Sequence, residues 1–174
     1  AADLTLYKLD LKQKQLPKGV YKVEIAAGNF KQSNLVVTIL GKVRLDKIEV
    51  AVSEADAQTP TKKASIEKNG KFPDVYMLDH QQKFGLRFDL FDDQSNKVMS
   101  VHQAFVRFSD DSGAEIIFVA EQDVAKAYKF EMDIGARAGD FGGKSGIYNV
   151  DLIIGDASLV NSFVRNLGQV NLKF

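Results

Sequence analysis

Gly146-Ile147-Tyr148-Asn149-Val150-Asp151-Leu152-Ile153-Ile154-Gly155 is the stretch that decides the fold. Apart from Asn149 and Asp151 its interior is apolar on both faces, which suits a central strand or an interface between domains. Glycine bounds it at each end, and Gly146 opens the strand where the chain must turn sharply.

The same passage stands earlier as Gly19-Val20-Tyr21-Lys22-Val23-Glu24-Ile25-Ala26-Ala27-Gly28, with both glycines and the tyrosine in register. Upstream, Tyr7-Lys8-Leu9-Asp10-Leu11 matches Tyr128-Lys129-Phe130-Glu131-Met132, and a further apolar strand closes each copy, Leu35–Leu40 and Gln169–Phe174. Residues 7–40 and 128–174 therefore read as one module written twice: a strand, a loop, then a hairpin. That is the end of an immunoglobulin-like sandwich, where a tyrosine buries its ring and keeps its hydroxyl free to bond backbone.

The second copy ends a stretch long enough to be a whole sandwich. The first has almost nothing before it, and three strands alone leave an apolar face and two sheet edges open. Residues 1–41 are thus expected to be the C-terminal strands of a preceding β-domain, and 42–174 a complete β-sandwich, with Gly41 at the passage between them.

Period-two alternation recurs along the rest of the chain. Ile48, Val50 and Val52 alternate with Lys47, Glu49 and Ala51; Leu86, Phe88 and Leu90 flank Arg87 and Asp89; Val170, Leu172 and Phe174 alternate with Gln169, Asn171 and Lys173. Leu35–Leu40 and Ile116–Ala120 are apolar on both faces, like 147–154. Turn chemistry separates the runs at Gly28-Asn29, Asp92–Asn96, Asp110–Gly113 and Gly155-Asp156. Gln122–Lys126 could form a short helical turn, but no helical period is sustained. The fold class is all-β. One sandwich core is expected to bury Val50, Leu86, Phe88, Val106, Phe130, Tyr148, Val150, Leu152 and Leu172.

Composition narrows the function. Of 174 residues, 45% are apolar, enough for a core, and 23 Lys+Arg balance 23 Asp+Glu. A balanced charge argues against nucleic acid and anionic membrane surfaces, which draw on a basic excess. The absence of cysteine removes thiolate nucleophiles, disulfides and Cys-based zinc sites. No apolar run approaches the roughly 18 residues of a membrane span, and Ala1-Ala2-Asp3-Leu4 has neither the basic nor the apolar region of a signal peptide.

Residues that could carry chemistry are sparse. His80 and His102 lack a second histidine at metal-ligand spacing. Asp92-Asp93 and Asp110-Asp111 lie in turn sequences, where aspartate caps its own backbone; calcium is the alternative. The Gly-Lys-Ser within 139–146 lacks the glycine spacing of a phosphate loop and is followed by a strand where a helix is needed. The serines have no Gly-x-Ser-x-Gly setting. Phe30, Phe72, Phe91 and Phe141 could stack on sugars, but twelve phenylalanines without a tryptophan fit core packing better. There is no N-glycosylation sequon. No catalytic, metal or cofactor residue is assigned, and no cofactor is expected.

The ordered segments 101–108 (Val-His-Gln-Ala-Phe-Val-Arg-Phe), 116–121 (Ile-Ile-Phe-Val-Ala-Glu), 128–131 (Tyr-Lys-Phe-Glu), 145–148 (Ser-Gly-Ile-Tyr) and 152–159 (Leu-Ile-Ile-Gly-Asp-Ala-Ser-Leu) carry a resemblance. With Asp79–Phe84 before them and Val170–Phe174 after, they resemble the lumenal C-terminal domain of the ribophorin II family. The resemblance implies an accessory subunit of the endoplasmic-reticulum oligosaccharyltransferase, with catalysis in a different subunit. It also implies a helical N-terminal region and C-terminal membrane helices that this chain lacks, so the chain is expected to be an excised lumenal segment. Expected partners are the other oligosaccharyltransferase subunits, with the membrane reached through helices absent from this chain. The residues alone also fit an extracellular or periplasmic sandwich that binds protein or glycan, and, less well, a hydrolase on a β-sandwich.

Overall fold

The computed structural model describes residues 8–14 and 16–174. The chain divides after Gly41, where a small unit ends, and Lys42–Phe174 forms a second compact unit.

In the small unit a 3-10 turn, Leu11–Lys14, leads into strands β1 (Gly19–Ala27) and β2 (Phe30–Ile39). They pair antiparallel about the Gly28-Asn29 turn, where Gly28 sits at a left-handed φ of 57°. The strand expected from residue 7 to 11 is not there. Lys8–Asp10 have no regular structure and Leu11 already belongs to the 3-10 turn, while Tyr7 lies outside the described residues.

The second unit contains β3 (Val43–Glu54), β4 (Lys62–Glu67), β5 (Tyr76–Asp79), β6 (Gln82–Asp92), β7 (Gln103–Ser109), β8 (Glu115–Val119), β9 (Glu121–Gln122), β10 (Tyr128–Asp133), β11 (Gly146–Gly155) and β12 (Phe163–Lys173). One sheet runs β4-β3-β6-β10-β9 and the other β5-β12-β11-β7-β8. All neighbours are antiparallel except β5 beside β12. The pairs β3–β4, β7–β8, β9–β10 and β11–β12 each stay within one sheet while the other connections cross between sheets, in the manner of an immunoglobulin-like sandwich, and β11 enters at a tyrosine corner.

Alternation sets the core. Val50, Leu86, Phe88 and Phe130 point inward from the first sheet; Val106, Tyr148, Val150, Leu152 and Leu172 meet them from the second, and all are buried as expected. Phenylalanine rings stitch the two sheets together: Phe108 lies 6.4 Å from Phe84 and 6.0 Å from Phe130, centroid to centroid. Burying one such ring stabilises the fold by about 1.5–3 kcal/mol.

Two local expectations need correction. Residues 122–126 form no helical turn but close the β9–β10 hairpin. Asp123 takes hydrogen bonds from the amides of Ala125 (2.9 Å) and Ala127 (3.0 Å), and Lys126 adopts φ 66°. A carboxylate that captures the amides beyond it holds the chain in a turn. Ile116–Ala120, apolar on both faces, does not lie in a central strand. It makes up most of β8, at the edge of its sheet, so Ile116 and Phe118 pack on the core while Ile117 and Val119 stay 53% and 63% exposed.

Candidate functional site

The sequence candidates are scattered, and the fold itself uses most of them. His80 sits exposed in the turn between β5 and β6. His102, also exposed, precedes β7, and its backbone amide donates to Asp156 Oδ2 at 3.1 Å. Among the described residues no three His, Asp or Glu side chains are grouped so as to hold a metal ion.

The first aspartate of each pair acts in a turn. Asp92 Oδ1 accepts the amide of Ser95 at 2.7 Å and its hydroxyl at 2.8 Å. Asp93 accepts from Lys42 Nζ at 3.0 Å, and this hydrogen bond, with the charges of Lys42 and Arg44, lowers its pKa. Asp110 accepts the amides of Ser112 (2.9 Å) and Ala114 (3.1 Å). Its carboxylate also meets Lys144 Nζ at 2.5 Å, which together with the Ser112 hydroxyl holds it well below the usual carboxylate range.

That contact accounts for the Gly-Lys-Ser loop. Its glycines Gly142 and Gly143 take left-handed φ values of 61° and 67°, Lys144 is drawn onto Asp110, and Ser145 Oγ accepts the amide of Phe174 at 3.0 Å. The hydroxyls of Ser95, Ser112 and Ser158 each donate to the aspartate of their own turn. Such an Asp-Ser pair shapes a turn, whereas a nucleophile needs a base that can take its proton.

The candidate aromatics divide. Phe72 and Phe141 are core residues, Phe91 is half-buried under the Arg44 guanidinium (5.2 Å to the ring centroid), and Phe30 is exposed in the β1–β2 hairpin.

Sequence reasoning passed over the outer face of the β5-β12-β11-β7-β8 sheet. Cross-strand register places Asn166, Asp151, Arg107 and Ile117 side by side, and next to them Val164, Ile153, Phe105 and Val119. Asp151, only 7% exposed, accepts from Arg107 Nη2 (2.8 Å), Arg107 Nε (3.2 Å) and Asn166 Nδ2 (2.9 Å). The hydrogen bond to Asp151 raises the Arg107 pKa further. Arg107 Nη1 reaches Glu115 at 2.9 Å. A fixed polar row beside an open apolar row, with Val164 60% exposed, has the makeup of a protein-binding face. Its sequence trace was the apolar character of Ile117 and Val119 on the side of β8 away from the core.

A second concavity, of about 320 Å³, is rimmed by Lys42, Arg44, Lys68, Asp93, Asn161 and Arg165. Three of these cations are engaged internally: Lys42 and Arg44 on Asp93, and Arg165 Nη2 on the carbonyls of Glu67 (2.7 Å) and Gly70 (2.9 Å).

Comparison with known proteins fits this frame. The family model described as the Ribophorin II third domain matches residues 46–172, from within β3 to within β12. Subunit 2 of the dolichyl-diphosphooligosaccharide–protein glycosyltransferase of Oryza sativa subsp. japonica is 31% identical over 137 residues, covering 78% of this chain and 19% of that protein. The Caenorhabditis elegans protein of the same name is 21% identical over 130 residues, covering 74% of this chain and 46% of its own length. The chain thus spans less than half the length of these curated relatives. With the third-domain match covering all but the ends of the sandwich, the chain belongs to the ribophorin II family.

Proposed function

We propose that this chain is a non-catalytic structural and interaction segment of an oligosaccharyltransferase subunit, facing the lumen of the endoplasmic reticulum and supporting protein N-glycosylation. The observation that carries the reading is the third-domain match over 46–172, with relatives named as subunit 2 of the glycosyltransferase. The geometry supports it in two ways. Asp92, Asp110, Ser95, Ser112, Lys144 and Ser145 are engaged in turns and loop closure, and the outer face of the β5-β12-β11-β7-β8 sheet offers apolar area beside a fixed ion pair. Its partners are the other subunits of the complex, and membrane helices elsewhere in the parent protein hold it at the membrane.

Two experiments test this. Purified chain, given dolichyl-diphosphate oligosaccharide and an acceptor peptide, should yield no glycopeptide; transfer by this chain alone would end the non-catalytic reading. In cells, the full-length subunit with residues 42–174 replaced by an unrelated sandwich should lose co-purification with its complex. Unchanged co-purification and unchanged glycosylation would end the structural one.

A further inference from the structure

The β1–β2 hairpin repeats the β11–β12 hairpin residue for residue. Gly19 faces Ile39 as Gly146 faces Leu172; Tyr21 faces Val37 as Tyr148 faces Val170. Val23 faces Leu35 as Val150 faces Gly168, and then each second strand carries one extra residue, a β-bulge at the same place. Beyond it the registers agree again: Ile25 faces Gln32 as Leu152 faces Arg165, and Ala27 faces Phe30 as Ile154 faces Phe163.

Details around the frame repeat too. Gly19 and Gly146 open their strands at φ 157° and 151°. Tyr21 donates to the Pro17 carbonyl at 2.7 Å, as Tyr148 does to Lys144 at 2.7 Å. At the bulge, Ser33 Oγ donates to Glu24 at 3.1 Å where Asn166 donates to Asp151 at 2.9 Å.

What differs is the surroundings. In the sandwich, β11 has β7 on its free side, β12 has β5, and the inward face closes on the opposite sheet. Among the described residues the hairpin stands as a sheet of two strands. Its corresponding face carries Tyr21, Val23, Ile25, Leu35, Val37 and Ile39, with Gln32 beyond the bulge as a polar neighbour of Ile25, yet none of the six is buried and Ile25 is 49% exposed. A face of that composition at core register belongs inside a sandwich.

We infer that this hairpin is the last pair of strands of a second immunoglobulin-like sandwich, whose remaining strands come from polypeptide upstream in the same protein. The occupant follows from chain order. The matched model is a third domain, its match begins at residue 46, and the hairpin precedes it on the side where a second domain ends. The relatives are long enough to supply the missing strands, since this chain covers 19% of one and 46% of the other. One incoming strand pairs antiparallel with β1, as β7 does with β11, and another runs parallel to β2, as β5 does to β12.

The test uses the full-length protein. Val23→Glu with Val37→Glu puts charge on the inner face; Val20→Glu with Val36→Glu puts the same charge on the outer. Hydrogen exchange followed by mass spectrometry should show the inner pair raising exchange by roughly tenfold or more across 20–26, 35–40 and the segment immediately upstream. Residues 147–153 should be unchanged, and the outer pair should leave all regions near wild type. An upstream segment indifferent to the inner pair overturns the proposal, as does an equal effect of both pairs. Loss of protection at 147–153 would place the face against the third domain instead. Protection of 20–26 that grows with protein concentration would make the occupant a second copy, and would equally overturn it.

Discussion

The Tyr148 hydroxyl donates to the backbone carbonyl of Lys144, four residues back, at 2.7 Å, while its ring packs edge-on against Phe141 at 5.2 Å. One side chain thereby ties the loop carrying Gly142 and Gly143 to the strand at the centre of the sandwich. Tyr148→Phe keeps the ring and loses the bond. Because Lys144 is exposed, water can reach the freed carbonyl, so the cost should be near the net value of one hydrogen bond, about 1 kcal/mol. Urea unfolding at constant m-value measures it. An unchanged midpoint would mean that the corner shapes the loop without stabilising it.

Phe88 and Phe130 lie inward on adjacent strands of the same sheet, with Phe88 stacked on Tyr128 at 5.4 Å and Phe130 beside Phe108 at 6.0 Å. Cutting either to alanine leaves a cavity between two sheets that cannot both relax. The loss should be about 3–5 kcal/mol in denaturant unfolding. A cost below about 1 kcal/mol would mean that the sheets close over the gap.

Acid should weaken the Asp110–Lys144 link. The folded-state pKa of Asp110 lies well below its unfolded value, first through the Lys144 hydrogen bond and then through Ser112. A depressed carboxylate contributes stability that is fully present above the unfolded pKa, about 3.9, and is lost as pH falls toward the folded one. Thermal midpoints from pH 7 to pH 2 should therefore drop more steeply below about pH 4 in wild type than in Asp110→Asn. Parallel curves would show that solvent screens the link completely.

The sandwich was legible because its strands alternate cleanly and two glycine-tyrosine modules mark the hairpins. Composition could not tell a central strand from an edge strand when both faces are apolar: 147–154 and 116–120 look alike, yet β11 has neighbours on both sides and the outward residues of β8 face open space. Tyr7–Leu11 resembles β10 in residue types alone, and Lys8–Leu11 does not share its conformation. The structural repeat runs instead from the 3-10 turn onward, Leu11–Lys14 answering Ala138–Phe141 before each tyrosine corner. The outer face of the second sheet was invisible to a motif search because register, not sequence distance, brings Arg107 to Asp151.

That pair supports the last prediction. Asp151 is buried under Arg107 and Asn166, and Arg107 is held in turn by Glu115. Asp151→Ala strips a cation of its closest partner and leaves Asn166 Nδ2 without its acceptor. With the Arg107 side chain 27% exposed, water recovers part of the loss, so the cost should be about 1.5–3 kcal/mol rather than that of a sealed ion pair. A double-mutant cycle with Arg107→Ala should give a coupling above about 1 kcal/mol. Glu24 occupies the matching place in the first hairpin, but among the described residues no strand lies beside it to supply an arginine. It meets Lys31 at 3.1 Å across its own exposed hairpin, where an ion pair is worth little. Glu24→Ala should leave the unfolding midpoint of 42–174 unchanged. Equal costs at Asp151 and Glu24 would mean that the carboxylate acts through the bulge both hairpins share, and that the neighbouring strand adds nothing.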